Sequence, residues 1–272
     1  MGVMSVHDKC RELRELHAAG CFVIPNPWDP GSAVLLEQLG FRALATTSSG
    51  FAWSIGRADN HVTLADALAH CRAMSAAVRV PISADFEGGF AVEPDEVAAN
   101  VAAAAATGIA GLSIEDSSKD TAAPLFEFDL ALERVRAARR AIDDGPAPLV
   151  LTARSEGFIA GRPDLGETIR RLTAFAAAGA DCVFAPGVRD EQQIRTIVSA
   201  VAPTPVNVLV SSDFTTVARL AAIGVRRISV GGALARAAWG AFLRAATEIA
   251  QQGTFTELTH GVASAAFDRR FS

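Results

Sequence analysis

The chain has 272 residues, half of them hydrophobic and a fifth charged, with a formal net charge of -5. This balance is that of a packed globular protein and excludes a disordered chain, while the length suits a single (β/α)8 barrel of roughly 250 residues. Lys and Arg are outnumbered and dispersed, which leaves no basic patch for a phosphate backbone and excludes nucleic acid as a partner.

From the N-terminus, Met1 to Cys10 lacks the apolar core of a secretory leader, and no run approaches the roughly 18 apolar residues of a membrane helix. A soluble cytoplasmic protein with no membrane partner is expected. Cys10, Cys21, Cys71 and Cys182 are too scattered for a zinc site or a disulfide framework and read as reduced, buried thiols.

A unit then recurs: an Ala-rich helix, a Gly that closes it in the left-handed conformation, and a short apolar run buried on both faces. Gly20 precedes Cys21 to Ile24, and Gly40 precedes Phe41 to Thr46. Gly108 precedes Ile109 to Ile114, Gly179 precedes Ala180 to Phe184, and Gly224 precedes Val225 to Val230. Val80 to Ala84, Pro148 to Thr152 and Pro205 to Leu209 complete eight strands without that Gly. Helices are predicted over Gly31 to Leu39, Leu64 to Ala77, Pro94 to Ala106, Leu130 to Ile142, Leu165 to Ala178, Glu191 to Ala200 and Thr215 to Ile223. The alternation predicts parallel strands in one (β/α)8 TIM barrel spanning 1–272. Ala233 to Gln251 reads as a final helix, and the tail Phe255 to Ser272 carries enough apolar residues to dock on its own barrel or on another copy.

Barrel sites are built at the C-terminal ends of the strands. The third strand runs into Asp85-Phe86-Glu87, whose period of two puts both acids on one face, and the fourth into Glu115-Asp116. Asp85, Glu87 and Glu115 are expected to converge, where their repulsion calls for a hard divalent cation such as Mg2+; the alternative is helix capping or pairing with Arg. Asp116 reads as a cap or loop acid. Arg154, ending the fifth strand, either binds a carboxylate and stabilises developing charge or makes an internal ion pair with those acids.

Thr46-Thr47-Ser48-Ser49-Gly50, after the second strand, reads as an anion cradle or as a plain turn. Asp59 reads as a helix cap on residue type alone, and Asn207, inside the seventh strand, as a core hydrogen-bonding group or a substrate contact. Gly231-Gly232 offers a phosphate cup without any nucleotide motif. His61, His70 and His260 are expected on the surface and His17 on a helix.

Asn26-Pro27-Trp28-Asp29-Pro30-Gly31-Ser32-Ala33, Ser49-Gly50, Asp85-x-Glu87-x-Gly89, Ile114-Glu115-Asp116 and Ala153-Arg154 occur in this order between roughly Phe22 and Leu258. Together they resemble the isocitrate lyase/phosphoenolpyruvate mutase superfamily. The resemblance implies Mg2+ held by Asp59, Asp85, Glu87 and Glu115, mostly through water. It also implies a 2-oxo acid or its enolate held by Ser49, Gly50 and Arg154, and a C-terminal helix exchanged between partners in a homo-oligomer, a tetramer of two dimers. Two departures stand out. The Cys-containing loop of the isocitrate-type lyases is replaced by Ser117-Ser118-Lys119-Asp120-Thr121, and Glu87 stands where many members have Asp.

The expected activity is therefore Mg2+-dependent cleavage or decarboxylation of a small 2-oxo or 2-hydroxy dicarboxylate like oxaloacetate, with Arg154, Asp59 and Glu115 as catalytic groups. Ser118 or a metal-bound water is the expected proton donor. Phosphonopyruvate chemistry, with Asp59 or water attacking phosphorus, is the alternative reaction. A non-catalytic 2-oxo-acid-binding barrel and a sugar-phosphate enzyme complete the alternatives.

Overall fold

The computed structural model describes residues 4–271; Met1 to Val3 and the last residue of the tail, Ser272, lie outside the described residues. Eight parallel strands are arranged in the order β1-β8-β7-β6-β5-β4-β3-β2. They are β1 Phe22–Ile24, β2 Leu44–Ala45, β3 Ile82–Asp85, β4 Gly111–Glu115, β5 Val150–Arg154, β6 Cys182–Phe184, β7 Val206–Leu209 and β8 Arg227–Ser229. The helices are α1 Val6–Ala18, α2 Pro30–Gln38, α3 Ser48–Ser54, α4 Leu64–Ala77, α5 Pro94–Ala105, α6 Phe128–Asp143, α7 Leu165–Ala177, α8 Glu191–Val201, α9 Val217–Ala222, α10 Ala233–Gln252 and, after a short 3-10 turn at Thr256–His260, α11 Ser264–Phe271. The (β/α)8 barrel expected from the alternating pattern is the observed fold.

Side chains start the helices as the sequence dictates. Asp29 and Ser32 form a reciprocal cap at α2, with Pro30 in the first turn, and Thr63 and Asp66 do the same for α4. Ser49-Gly50, read as a turn, lies instead in the first turn of α3, which Thr47 caps.

The circle closes unevenly. Between β1 and β2 the backbone is joined by Ala45 N–H donating to the Pro25 carbonyl at 3.0 Å. Asn26 reinforces that seam: its amide donates to the Thr46 carbonyl at 2.9 Å and accepts from the N–H groups of Val230 and Gly231 at 2.9 and 2.8 Å. At the opposite end of the barrel α1 closes the floor. Gly111, at the start of β4, is required there, because a Cβ would meet the Val150 carbonyl at 2.7 Å and Leu13 at 3.0 Å.

The core is continuous through the strands and the inner faces of α1, α2 and α4 to α9, while Ala52 of α3 packs with Val62 and Ala67 in a second, smaller cluster. The helix α10 is different, since Ala235 is its only buried residue while Trp239, Phe242, Leu243 and Ile249 are exposed. The tail returns to the barrel at α2, where Gln38 donates to the Arg270 carbonyl, but Phe255, Leu258, Val262, Phe267 and Phe271 stay exposed. No described helix is long and apolar enough to cross a membrane.

His17 is helical as expected, but His70 corrects the surface assignment: it is buried on α4 and stacked on Phe51 with ring centroids 3.9 Å apart. Burial pushes its imidazole down from 6.5 to about 4. The folded protein thus binds this proton less readily than the unfolded chain, so the stabilisation is complete above about 6.5 and is lost as pH falls through about 4. Replacing His70 with Phe should abolish on the order of 2 kcal/mol of the stability lost between pH 6.5 and 4.5. Urea unfolding at both pH values checks this, and parallel losses in the two proteins would refute it.

Candidate active site

The register of the strands sets the charges side by side. Glu115 is paired with Arg154 across β4 and β5, while Asp85 ends β3 one strand away. Arg154 Nη1 donates to Asp85 Oδ1 at 2.7 Å, its Nε donates to Glu156 Oε1 at 2.9 Å, and its Nη2 lies 3.3 Å from Glu115 Oε2. The flat face of the guanidinium looks onto Phe184, 5.3 Å from the ring centroid. Burial works against the Arg154 charge, but Glu156, Glu115 and Asp85 outweigh it and raise its pKa, so the group stays protonated. The internal ion pairs expected of Arg154 as one of its two readings are made, and they lie at the wall of an open cleft.

The acids respond in the opposite sense. Burial drives the Glu115 carboxyl well above the ordinary range against the pull of Arg154, with Glu156, Asp85 and Glu87 adding repulsion. Glu156 is raised by burial in the same way. Asp59 sits at the solvent-accessible rim, where loss of water on its cleft side, followed by the charge of Asp85, raises its carboxyl. Asp85 also accepts from the Ser48 N–H at 3.0 Å, which ties the first turn of α3 to the end of β3.

Glu87 reaches the site by an unexpected route. The strand stops at Asp85, and Glu87 lies in the following turn with a left-handed φ of 48°, so the period of two does not place it. It is buried and ion-paired with Lys119, which projects from the loop after β4, and burial raises its carboxyl despite that lysine. The turn is pinned from behind: Arg134, fully buried on α6, donates to the carbonyls of Gly88, Ala91 and Val92. Asp116 is structural, as expected of a loop acid, pairing with Arg171 at 3.1 Å and accepting from the Glu156 N–H at 2.8 Å.

Two connected clefts open here. The outer one, of about 410 Å3, is lined by Asp59, Glu87, Glu115, Lys119, Arg154 and Glu156 among others. The inner one, of about 240 Å3, runs past Ser48, Ser49, Asp85 and Arg154 to Arg227, Ser229 and Gly232. Both include Ser48, Asp59, Arg154 and Ile159 in their walls.

Of the expected substrate residues, Ser49 lines the inner cleft while Gly50 packs against Thr47 and Trp28. Asn207 is buried behind the wall, donating to Ser229 Oγ at 2.9 Å, and lines neither cleft, so its position matches the core hydrogen bond rather than direct substrate contact. Ser118 is turned away, its hydroxyl donating to the Ala123 carbonyl, which removes it as a proton donor in this arrangement. The four Cys are free and absent from both clefts; Cys10, Cys71 and Cys182 are buried, whereas Cys21 is only half-buried.

The expected convergence of acids is partial. Among the described residues no three or more His, Cys, Asp or Glu stand close enough together to hold a metal ion. The reason is electrostatic: Arg154 draws Asp85, Glu115 and Glu156 to one side while Lys119 draws Glu87 to the other. The donor set nonetheless fits a hydrated hard cation, because Asp59, Glu87, Glu115 and Glu156 supply only oxygens to one open cleft and the single cation on Glu87 comes from a loop. Glu156 was not singled out from the sequence, where the alternation Arg154-Ser155-Glu156 was the available signal, and Lys119 was noted only as the lysine of the loop after the fourth strand.

The chain is similar over 98% of its length to the crystal structure of a candidate lyase/mutase from Burkholderia cenocepacia J2315, with 45% identity, 96% of that chain covered and a TM-score of 0.94. An uncharacterised protein of Mycobacterium tuberculosis is 34% identical over 84% of this chain and 82% of its own length. The oxaloacetate decarboxylase of Chromohalobacter salexigens is 28% identical over 86% of this chain and 82% of its own length. The sequence model of phosphoenolpyruvate phosphomutase matches residues 13–250, and with these strand-end acids and Arg154 in place the chain belongs to that family, within the isocitrate lyase/phosphoenolpyruvate mutase superfamily.

Proposed function

We propose that this protein is a Mg2+-dependent lyase acting on a small 2-oxo dicarboxylate of the oxaloacetate kind, in which the carbon–carbon bond one removed from the carbonyl, between the α-carbon and the distal carboxylate, breaks and its electron pair passes into the 2-oxo group. The observation that carries the reading is Arg154, a half-buried permanent cation held by three acids at the wall where the two clefts meet. Similarity to an oxaloacetate decarboxylase supports the substrate class.

Cleavage leaves an electron pair on carbon, which is stable only as an enolate, so the catalyst must hold negative charge on the former carbonyl oxygen. Arg154 supplies a fixed positive charge there, and its three acids keep it from turning as charge develops. Asp59, Asp85, Glu87 and Glu115 are the residues that would hold Mg2+, mostly through water, once Lys119 releases Glu87. The ion, when bound, supplies Lewis-acid polarisation of the 2-oxo group. Ser48 and Ser49 border the inner cleft where the substrate carboxylate would lie.

Arg154→Lys keeps the charge but loses the fork that engages three acids, and is expected to lower kcat for oxaloacetate by roughly 10²–10³-fold. Asp85→Ala should abolish the dependence on Mg2+ together with turnover. Both are read by mass spectrometry across 2-oxo acids, phosphonopyruvate and 2-methyl-branched malates, with and without chelator. Turnover of phosphonopyruvate and none of oxaloacetate would move the site to phosphorus–carbon chemistry.

We also infer that α10 packs on a second copy of the chain, in a dimer or tetramer, because an amphipathic helix exposing Trp239, Phe242 and Leu243 leaves a patch that water disfavours. The double variant Trp239→Glu/Phe242→Glu should sediment as a monomer at concentrations where the parent is oligomeric. A parent that sediments as a monomer sinks the inference.

A further inference from the structure

Two of the described buried arginines engage three partners each, although the Nε of Arg134 has none, and a third engages one. Arg134 donates to three carbonyls, and Arg171 engages Asp116, Glu167 and the Phe126 carbonyl. Arg227, on β8, is 5% exposed and donates from Nη1 to Thr152 Oγ1 at 2.9 Å, its one hydrogen bond among the described residues. Its Nε has no partner, and no described carboxylate lies within ion-pairing distance. Because β5 and β8 are not neighbours in the sheet, the bond to Thr152 crosses the interior of the barrel and aims the guanidinium beneath the mouth.

Arg227 forms part of the wall of the inner cleft together with Ser229 and Gly231. The same cleft reaches up to Arg154 and Ser48 at the mouth. A charge removed from water without a counter-charge is costly, and Arg154 in the same cleft adds like-charge repulsion. Asp85, Glu115 and Glu156 are already engaged by Arg154 and Glu87 by Lys119, while Asp59, at the rim, makes no ion pair with Arg227. A guanidinium so placed lacks an anion, and the space beside it has the size of a small metabolite, below the roughly 300–1,000 Å3 of drug-sized sites.

We propose that Arg227 is a specificity-determining residue that receives the second carboxylate of the substrate, so that a dianionic 2-oxo acid spans the inner cleft from Arg154 to Arg227. The inference rests on the 2-oxo-acid reading of the site and adds the group that separates dicarboxylates from monocarboxylates. Arg is suited to the task because its planar fork takes a carboxylate through two parallel hydrogen bonds. Thr152 orients the fork by holding Nη1.

The test is titration calorimetry of the full chain in Mg2+ with two probes on the same four-carbon skeleton, 3,3-difluorooxaloacetate and 2-oxobutyrate, which carries a methyl group in place of the distal carboxylate. Arg227→Met should weaken the dianion by at least about 30-fold and leave 2-oxobutyrate within about threefold. Arg227→Lys, which keeps the charge and most of the packing, should fall between parent and Met variant for the dianion alone. Equal weakening of both probes, or an undiminished dianion, overturns the proposal. A parent that binds 2-oxobutyrate but not the dianion overturns it alone, whereas a parent that binds neither overturns the 2-oxo-acid reading and this inference together.

Discussion

Arg154 is one positive charge among three carboxylates, and it sits at the point where strands β3, β4 and β5 deliver their last residues. Without it Asp85, Glu115 and Glu156 would face one another in a space too dry to screen them, and at a few ångströms such repulsion amounts to several kcal/mol. With it the acids are held at fixed distances, yet Glu115 and Glu156 remain reluctant to ionise. The mouth of the barrel is thus assembled around a charge imbalance that a divalent cation or an anionic ligand would redistribute. Lys119 completes the arrangement from a loop, whereas Arg154 is carried by a strand.

The barrel was legible in the sequence because its signals are local. A glycine at the end of each of several helices and an apolar run after it fix strand and helix without reference to the rest of the chain. Asp85, Glu115 and Arg154 were legible for the same reason, each being the polar residue that ends a buried strand. The metal role of Asp59 came from the resemblance to a family, its sequence surroundings alone being those of a cap, while Ser49 was read from the residues as part of an anion cradle or a turn, and the resemblance chose between the two.

What escaped depended on long-range placement. Glu87 owes its position to a left-handed turn braced by Arg134 from α6, and no period in the sequence encodes that brace. The partnership of Lys119 with Glu87 joins residues 32 apart through a loop. His70 looked like a surface residue because polarity alone does not report a stacking partner such as Phe51. Arg227 was hidden inside the run Val225 to Val230, read as a strand without regard to its charges, while the strand turns Arg226 outward to the Gly20 carbonyl and Arg227 into the barrel. Its alternation with Ser229 was the signal that would have separated them.

The seam between β1 and β2 carries a consequence for the inner cleft. A ring whose staves are bonded along their length except at one joint is completed there, and in this chain the joint is locked by Asn26, which also fastens the backbone leading out of β8. The inner cleft borrows walls from both sides of that joint, taking Thr46 and Ser49 from one side and Ser229 and Gly231 from the other. Circle and cavity therefore depend on one joint, because the two sides that wall the inner cleft are tied to each other by Asn26.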